Sequence, residues 1–276
     1  MRKRLKRFLS LFMILSMIIS NFSLVFANTN GNNNSENQIK RDNVLLLDTS
    51  GSMGGTPLKA MKTAAIKFCD EILKSDDDNR VALILWNSSL RSYDFTSDIE
   101  ELKSIINGCA ANGGTDTGAA LEAAKNLLDS KGREDAIRNI VLCTDGLPEH
   151  GGSTTEGPYT SADSTYYGHA NLAYNVAKEI HKDSYIYTLG FFHALSGAKK
   201  TFGVRFLRDL QNGGYYEVVD PNELEFTFGD IAEQIQRNVK LKGEFYYPSG
   251  DYYDYDGCGG GSFIYCSGNC YGDFLF

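Results

Sequence analysis

From residue 44 onward the chain alternates between two hydrophobic periods. Val44-Leu45-Leu46-Leu47 is an unbroken apolar run that stops at Asp48 and a Gly- and Ser-rich loop. A run with no polar member fits a strand covered on both faces. Thr56-Pro57 then reads as a helix N-cap followed by proline in the first turn, and Leu58, Met61, Ala65, Phe68 and Ile72 recur at helical spacing. Val81 to Trp86 predicts a second strand, and the more polar Leu90–Phe95 stretch an edge strand. Asp98 caps a predicted helix through Ile106. Gly113-Gly114 breaks the chain before a stripe of Leu121, Ala124 and Leu128. Ile140 to Thr144 predicts a buried strand ending at Asp145-Gly146. Leu147 to Gly168 is long, polar and turn-rich, which marks a functional or disordered loop.

Helical spacing resumes at Leu172, Ala173, Val176, Ala177 and Ile180. A strand from Tyr185 to Phe191, a helix around Val204 to Leu210 and a short strand from Tyr215 to Val219 follow. Pro221 opens a last helix with Leu224, Phe228, Ile231 and Ile235 on one side. This alternation predicts an α/β fold with a doubly wound, mostly parallel six-stranded sheet and helices on both faces. In such sheets ligands sit at the carboxyl ends of the strands.

The ends of the chain follow a different pattern. Arg2, Lys3, Arg4, Lys6 and Arg7 precede an apolar run from Phe8 to Phe26, and Val25-Phe26-Ala27 suits a cleavage site. Residues 1–27 therefore read as a secretory signal peptide, with an uncleaved membrane anchor as the alternative. The expected location is secreted or extracellular, with cell-surface association open. Residues 28–41, rich in Asn, Ser and charge, read as a flexible linker, 42–241 as the folded domain, and 242–276 as a Tyr-, Gly- and Cys-rich tail. The tail's tyrosines read as an adhesive strip, as a short appended element or as part of a truncated following domain.

Charge narrows the partners. The chain carries a net charge of −8, and residues 1–27 hold five of its 27 Lys+Arg and none of its 35 Asp+Glu, so the exported chain carries −13. An acidic surface with no basic patch argues against nucleic acid. Of the six cysteines, Cys69 and Cys143 occupy apolar periodic positions and read as buried thiols. Cys109 falls in a loop. Cys258, Cys266 and Cys270 cluster near the C-terminus, where export permits a disulfide, and their spacing is not that of a zinc site.

The candidate chemistry lies at strand ends. Asp48, Ser50 and Ser52 alternate on the loop after the first strand, Thr115 lies in a Gly-Gly-Thr turn that opens a helix, and Asp145 follows a third strand. These are two carboxylates and three hydroxyls, hard donors suited to magnesium, manganese or calcium rather than zinc or copper. The Asp-x-Ser-x-Ser loop, the later threonine and the Asp-Gly resemble the metal-ion-dependent adhesion site of von Willebrand factor type A domains. The resemblance spans about Asp42 to Leu241 and includes all five positions. It implies a sheet with one antiparallel edge strand, for which the Leu90–Phe95 stretch is suited. It also implies a metal, Mg2+ first, held through Ser50, Ser52 and Thr115, with Asp48 and Asp145 acting directly or through water. A protein ligand's Asp or Glu would complete the shell.

Glu149, His150 and His169 border this site in the long loop and are candidate partner contacts. With Glu156 and Asp163, the two histidines are also candidates for a second metal. His193 follows a strand end on the same face. The expectation is a non-catalytic, adhesion-type binding module. The alternatives are a metal-stabilised structural subunit of a surface assembly, or a metal-dependent hydrolase using His150 or His169 as base. A phosphatase of the haloacid dehalogenase type needs Asp-x-Asp, and Ser50 stands in its second position. No serine lies in a Gly-x-Ser-x-Gly elbow.

Overall fold

The structure, a computed structural model, describes residues 38–238. The expected signal peptide, most of the linker and the tail beyond residue 241 lie outside the described residues. The strands are β1 (Lys40–Asp48), β2 (Asp78–Trp86), β3 (Leu90–Thr96), β4 (Ile137–Thr144), β5 (Tyr185–Phe191) and β6 (Gly214–Val218). The helices are α1 (Thr56–Leu73), α2 (Ile99–Gly108), α3 (Thr117–Lys131), α4 (Tyr167–Ile180), α5 (Gly197–Leu210) and α6 (Leu224–Arg237). One six-stranded sheet has the order β3-β2-β1-β4-β5-β6, parallel except for the antiparallel edge strand β3. This is the doubly wound sheet expected from the sequence.

The β1 run is apolar throughout because each of its faces has its own core. Leu45 and Leu47 pack with α1, α2 and α6; Val44 and Leu46 pack with α3, α4 and α5. Each such fully buried leucine or valine contributes roughly 1.5–3 kcal/mol of hydrophobic transfer energy. On the first face, Phe68 of α1 meets Phe228 of α6 edge-on at 5.9 Å. β1 pairs with β2 on one side and β4 on the other. The chain therefore winds outward in both directions from the β1–β4 pair, and a crevice opens at their carboxyl ends.

Three local expectations shift. Gly55, at φ +83°, and not Thr56, is the N-cap of α1, and no side chain caps it. β1 begins at Lys40, inside the segment read as linker, because Arg41 and Asp42 are buried charges that hydrophobic periodicity does not register. Helix α5 begins at Gly197, well before Val204; its first turns are largely solvent-facing, so the apolar signal starts only at Phe202. Asp98 caps α2 as expected, accepting from the backbone N–H groups of Glu100 and Glu101.

Candidate metal centre

β1 delivers Asp48 to the carboxyl end of the sheet, and the register of β4 places Thr144 and Asp145 beside it. Asp48 is fully buried. Its Oδ1 accepts the Ser50 N–H at 2.7 Å and its Oδ2 accepts the Thr144 hydroxyl at 2.6 Å. Beyond it the chain tightens into a 3-10 turn over Gly51–Met53. The Ser50 and Ser52 hydroxyls lie 3.1 Å apart, and Ser52 donates to Asp145 Oδ1 at 2.7 Å. The other Asp145 oxygen, Oδ2, is buried with no hydrogen-bond partner. Ser50, Thr115 and Asp145 are buried, whereas Ser52 is exposed, so the cluster reaches solvent on its Ser52 side.

Thr115 joins the cluster through two close approaches. A Cβ on Gly146 would stand 3.2 Å from the Thr115 hydroxyl oxygen, so the glycine after Asp145 keeps Thr115 and Asp145 in contact range. The Thr115 carbonyl accepts the N–H groups of both Glu149 and His150, each at 3.1 Å. Two backbone bonds tie this turn to the first loop: Gly51 N–H to the Gly113 carbonyl at 2.9 Å, and Asn112 N–H to the Thr49 carbonyl at 2.8 Å. Asn87 braces both, donating to the Asn112 side chain at 2.7 Å and accepting from Ser89. Asp116 caps α3 through the Ala119 N–H at 3.0 Å.

Electrostatics distinguish this cluster from an ordinary buried hydrogen-bond network. Burial pushes the Asp48 carboxyl up to about 7, against the lowering effect of its Thr144 and Ser50 hydrogen bonds. Burial also raises Asp145, opposed by the Ser52 hydrogen bond and by nearby His193. The donors to both carboxylates are neutral hydroxyls and an amide. A buried carboxylate without a cation is costly in its ionised form. The five residues therefore fit a hard divalent cation on two counts: an oxygen-only donor set and an orphaned carboxylate oxygen within it.

The long loop is ordered rather than slack. Tyr159 is buried and donates its hydroxyl to Asp209 at 2.8 Å, while Arg205 lies over its ring and pairs with Asp163 at 2.6 Å. Asn171 of α4 accepts the Tyr159 N–H at 2.9 Å and donates back to its carbonyl at 3.0 Å. Glu149 and His150 are exposed at the site's border, and the His150 ring fills the space a Gly114 side chain would need. His169, at the start of α4, is hydrogen-bonded through Nδ1 to the Gly152 carbonyl at 2.9 Å. Among the described residues, no group of three or more His, Cys, Asp or Glu side chains gathers as a metal site. This holds for the loop's histidines and acids, and also for Asp48 and Asp145, whose remaining candidate donors are hydroxyls. Cys69, Cys109 and Cys143 are buried free thiols, Cys109 in the connection after α2. Thr144 went unnoticed in the sequence, although its polar side chain closes an apolar run directly before Asp145 and so marks a buried partner for Asp48.

Comparison with known proteins agrees with this architecture. A family model described as the von Willebrand factor type A domain matches residues 43–147, a span that contains all five site positions. The type A domain of the type V pili tip protein Mfa5 from Porphyromonas gingivalis is similar in structure, with a TM-score of 0.63 at 18% identity over 76% of this chain and 99% of that one. The PilB minor pilin from Streptococcus sanguinis gives a TM-score of 0.59 at 17% identity, covering 73% of this chain and 62% of that chain. In sequence, the chain is 26% identical to the inter-alpha-trypsin inhibitor heavy chain H4 of Bos taurus over 76% of its own length. It spans only 22% of that relative. The described residues thus form a domain of von Willebrand factor type A fold, shared with bacterial pilus proteins.

Proposed function

We propose that this domain is a metal-dependent protein-binding module that acts outside the cell. Asp48, Ser50, Ser52, Thr115 and Asp145 would hold a divalent cation, Mg2+ being the first choice and Mn2+ or Ca2+ the alternatives. A bound cation would supply an open coordination position for an Asp or Glu carboxylate of a protein partner. The observation that carries this reading is the Asp145 Oδ2 atom, buried without a partner beside the linked hydroxyls of Ser50 and Ser52. Ser52 gives the cluster its opening to solvent. Glu149 and His150 stand at its border, where they would touch the partner.

The solved neighbours favour a second reading. Two of them are a type V pili tip protein and a minor pilin. On that reading the chain is a structural subunit, and its metal stiffens the crevice rather than capturing a ligand. Neither reading requires catalysis. Ser52 donates to a carboxylate rather than to a histidine, and His169 is held by a backbone carbonyl.

One experiment separates the two readings: capture of surface or matrix proteins on the immobilised chain, first in magnesium and then in chelator. Capture lost in chelator and in Asp145→Ala supports the binding module. A thermal midpoint that rises with magnesium while capture stays the same supports the structural subunit. If neither quantity responds to any divalent cation, the metal site itself is refuted.

A further inference from the structure

The charge around the site is one-sided. Among the described residues, the connections at the carboxyl end of the sheet are residues 49–55, 87–89, 109–116, 145–166, 192–196 and 219–223, and none contains a Lys or Arg. Besides the site's own carboxylates they carry Asp116, Glu149, Glu156, Asp220 and Glu223, together with Asp163, which is paired with Arg205 of α5. At the opposite end, the connections over 74–77, 132–136 and 181–184 mix signs, with Lys74, Arg133 and Lys182 beside acidic neighbours. The contrast is therefore local and is not simply the chain's overall acidity. Basic residues begin only in the flanking elements: Lys59 and Lys62 in α1, Arg91 in β3, and Lys199, Lys200 and Arg205 in α5. Three of these are engaged, Lys62 by the Cys109 carbonyl at 2.6 Å, Lys200 by Glu217 at 2.7 Å and Arg205 by Asp163 at 2.6 Å.

A rim of this kind repels an acidic ligand before its carboxylate can reach the crevice. Yet the buried, unpartnered Asp145 Oδ2 points to a cation there, and the cation to a ligand carboxylate. Both demands are met by one partner chemistry. We propose, resting on the metal-binding reading above, that the partner presents its carboxylate within a basic segment. Flanking Lys or Arg side chains would lie against Glu149 and Glu156, both exposed on the loop between β4 and α4. That loop is anchored through Tyr159, whose backbone pairs with Asn171 of α4 and whose hydroxyl donates to Asp209 of α5. Recognition would therefore need little ordering of the receptor.

The test uses the full chain and fluorescent peptides followed by anisotropy in magnesium chloride. One Asp is framed by lysines, by serines or by glutamates, and a fourth peptide has lysines around an Asn. The lysine-framed Asp peptide should bind at least about tenfold more tightly than the serine-framed one at low salt, with the glutamate-framed one weakest. The gap should shrink as ionic strength rises from about 0.1 M to about 1 M, because the screening length falls from ~10 Å to ~3 Å. The double variant Glu149→Gln, Glu156→Gln should narrow it as well. Equal, magnesium-dependent binding of the lysine- and serine-framed Asp peptides would overturn this inference while leaving metal capture intact. If the lysine-framed Asp and Asn peptides bind alike, with or without chelator, metal capture fails and the carboxylate half of this inference fails with it. Failure of the lysine-framed Asp peptide to bind at roughly millimolar concentration overturns the proposal as well.

Discussion

The two ends of the sheet bury aspartates in opposite ways. At the amino end, Asp42 on β1 accepts from Arg80 Nε and Nη2 at 2.9 and 2.7 Å, and from the Arg133 backbone N–H and Nε at 2.6 and 2.9 Å. Next to it, Arg41 is buried, paired with Asp77, and donates to the carbonyls of Ile235, Gln236 and Asn238. At the carboxyl end, Asp48 lies on the same strand and is equally buried, but its partners are neutral, and Asp145 keeps an oxygen with none. The amino end is completed by the chain's own guanidinium groups and holds the fold together. The carboxyl end leaves negative charge uncompensated, as a site does when its cation comes from solution.

The sharpest way to break this contrast is to remove one aspartate from each end. Asp42→Ala removes the buried carboxylate shared by Arg80 and Arg133, leaving Arg133 only its ion pair with Asp78, and should cost about 3–5 kcal/mol, read as a lower denaturation midpoint. Asp145→Ala, measured in chelator, should be close to neutral or stabilising, since it removes an uncompensated charge. Equal losses from the two variants would mean that both ends are structural. The next largest effect is metal linkage. Magnesium at about 100 times its Kd should stabilise the wild-type chain by about 2.7 kcal/mol, which for a domain of this size is a rise of roughly 5–11 °C in Tm. Asp145→Ala should abolish that rise, and Asp42→Ala should retain it.

Acidity sharpens the comparison further. Because burial raises Asp48 from 3.8 to about 7, the folded protein binds that proton more tightly than the unfolded chain. The resulting stability is full below about pH 4 and is lost as pH rises through about 7. In chelator, the wild-type Tm should therefore fall between about pH 5 and about pH 8 by more than the Tm of Asp48→Asn, whose amide does not titrate. The Asn oxygen still accepts the Ser50 N–H, and its NH2 group donates to the Thr144 hydroxyl oxygen, so both contacts are kept, the second with its direction reversed. Identical slopes in the two proteins would show that Asp48 carries no uncompensated charge.

The same contrast explains what could be read from the sequence. The sheet was legible because β1, β2, β4 and β5 each carry an apolar run where helices cover both faces, and the edge strand because Leu90–Phe95 is more polar, its antiparallel direction being implied by the family resemblance alone. The five candidate donors could be singled out because each stands where a strand ends or a helix begins. The amino-end network was not. Charged residues look alike to a hydrophobic pattern whether solvated or buried in ion pairs, so Lys40 and Arg41 fell into the linker. Nor were the contacts between loops legible, since they depend on approaches between positions far apart in sequence. Thr144 beneath Asp48 follows from strand register, and the order of the long loop depends on Tyr159 and Asn171 meeting across a turn.

The smallest expected effect probes how the carboxyl end is positioned without ion pairs. Thr115 is held by the paired N–H groups of Glu149 and His150 and by the closeness of Gly146, and the His150 ring lies directly over Gly114. A Cβ on Gly114 would stand 1.9 Å from His150 Cδ2, so Gly114→Ala must displace the ring or the turn. The ring is exposed and can swing aside, which limits the loss of stability to about 1 kcal/mol or less. Any strain left in the turn reaches Thr115, one residue on, and should weaken magnesium binding by a few fold, on the order of 1 kcal/mol. Adding His150→Ala frees the space and should restore magnesium affinity, a non-additivity that a double-mutant cycle reads directly. If Gly114→Ala weakens magnesium binding and His150→Ala does not restore it, Thr115 is set by the glycine's own backbone and not by the loop resting on it. The clamp would then lie within the Gly113–Thr115 turn, and the long loop would serve the partner alone.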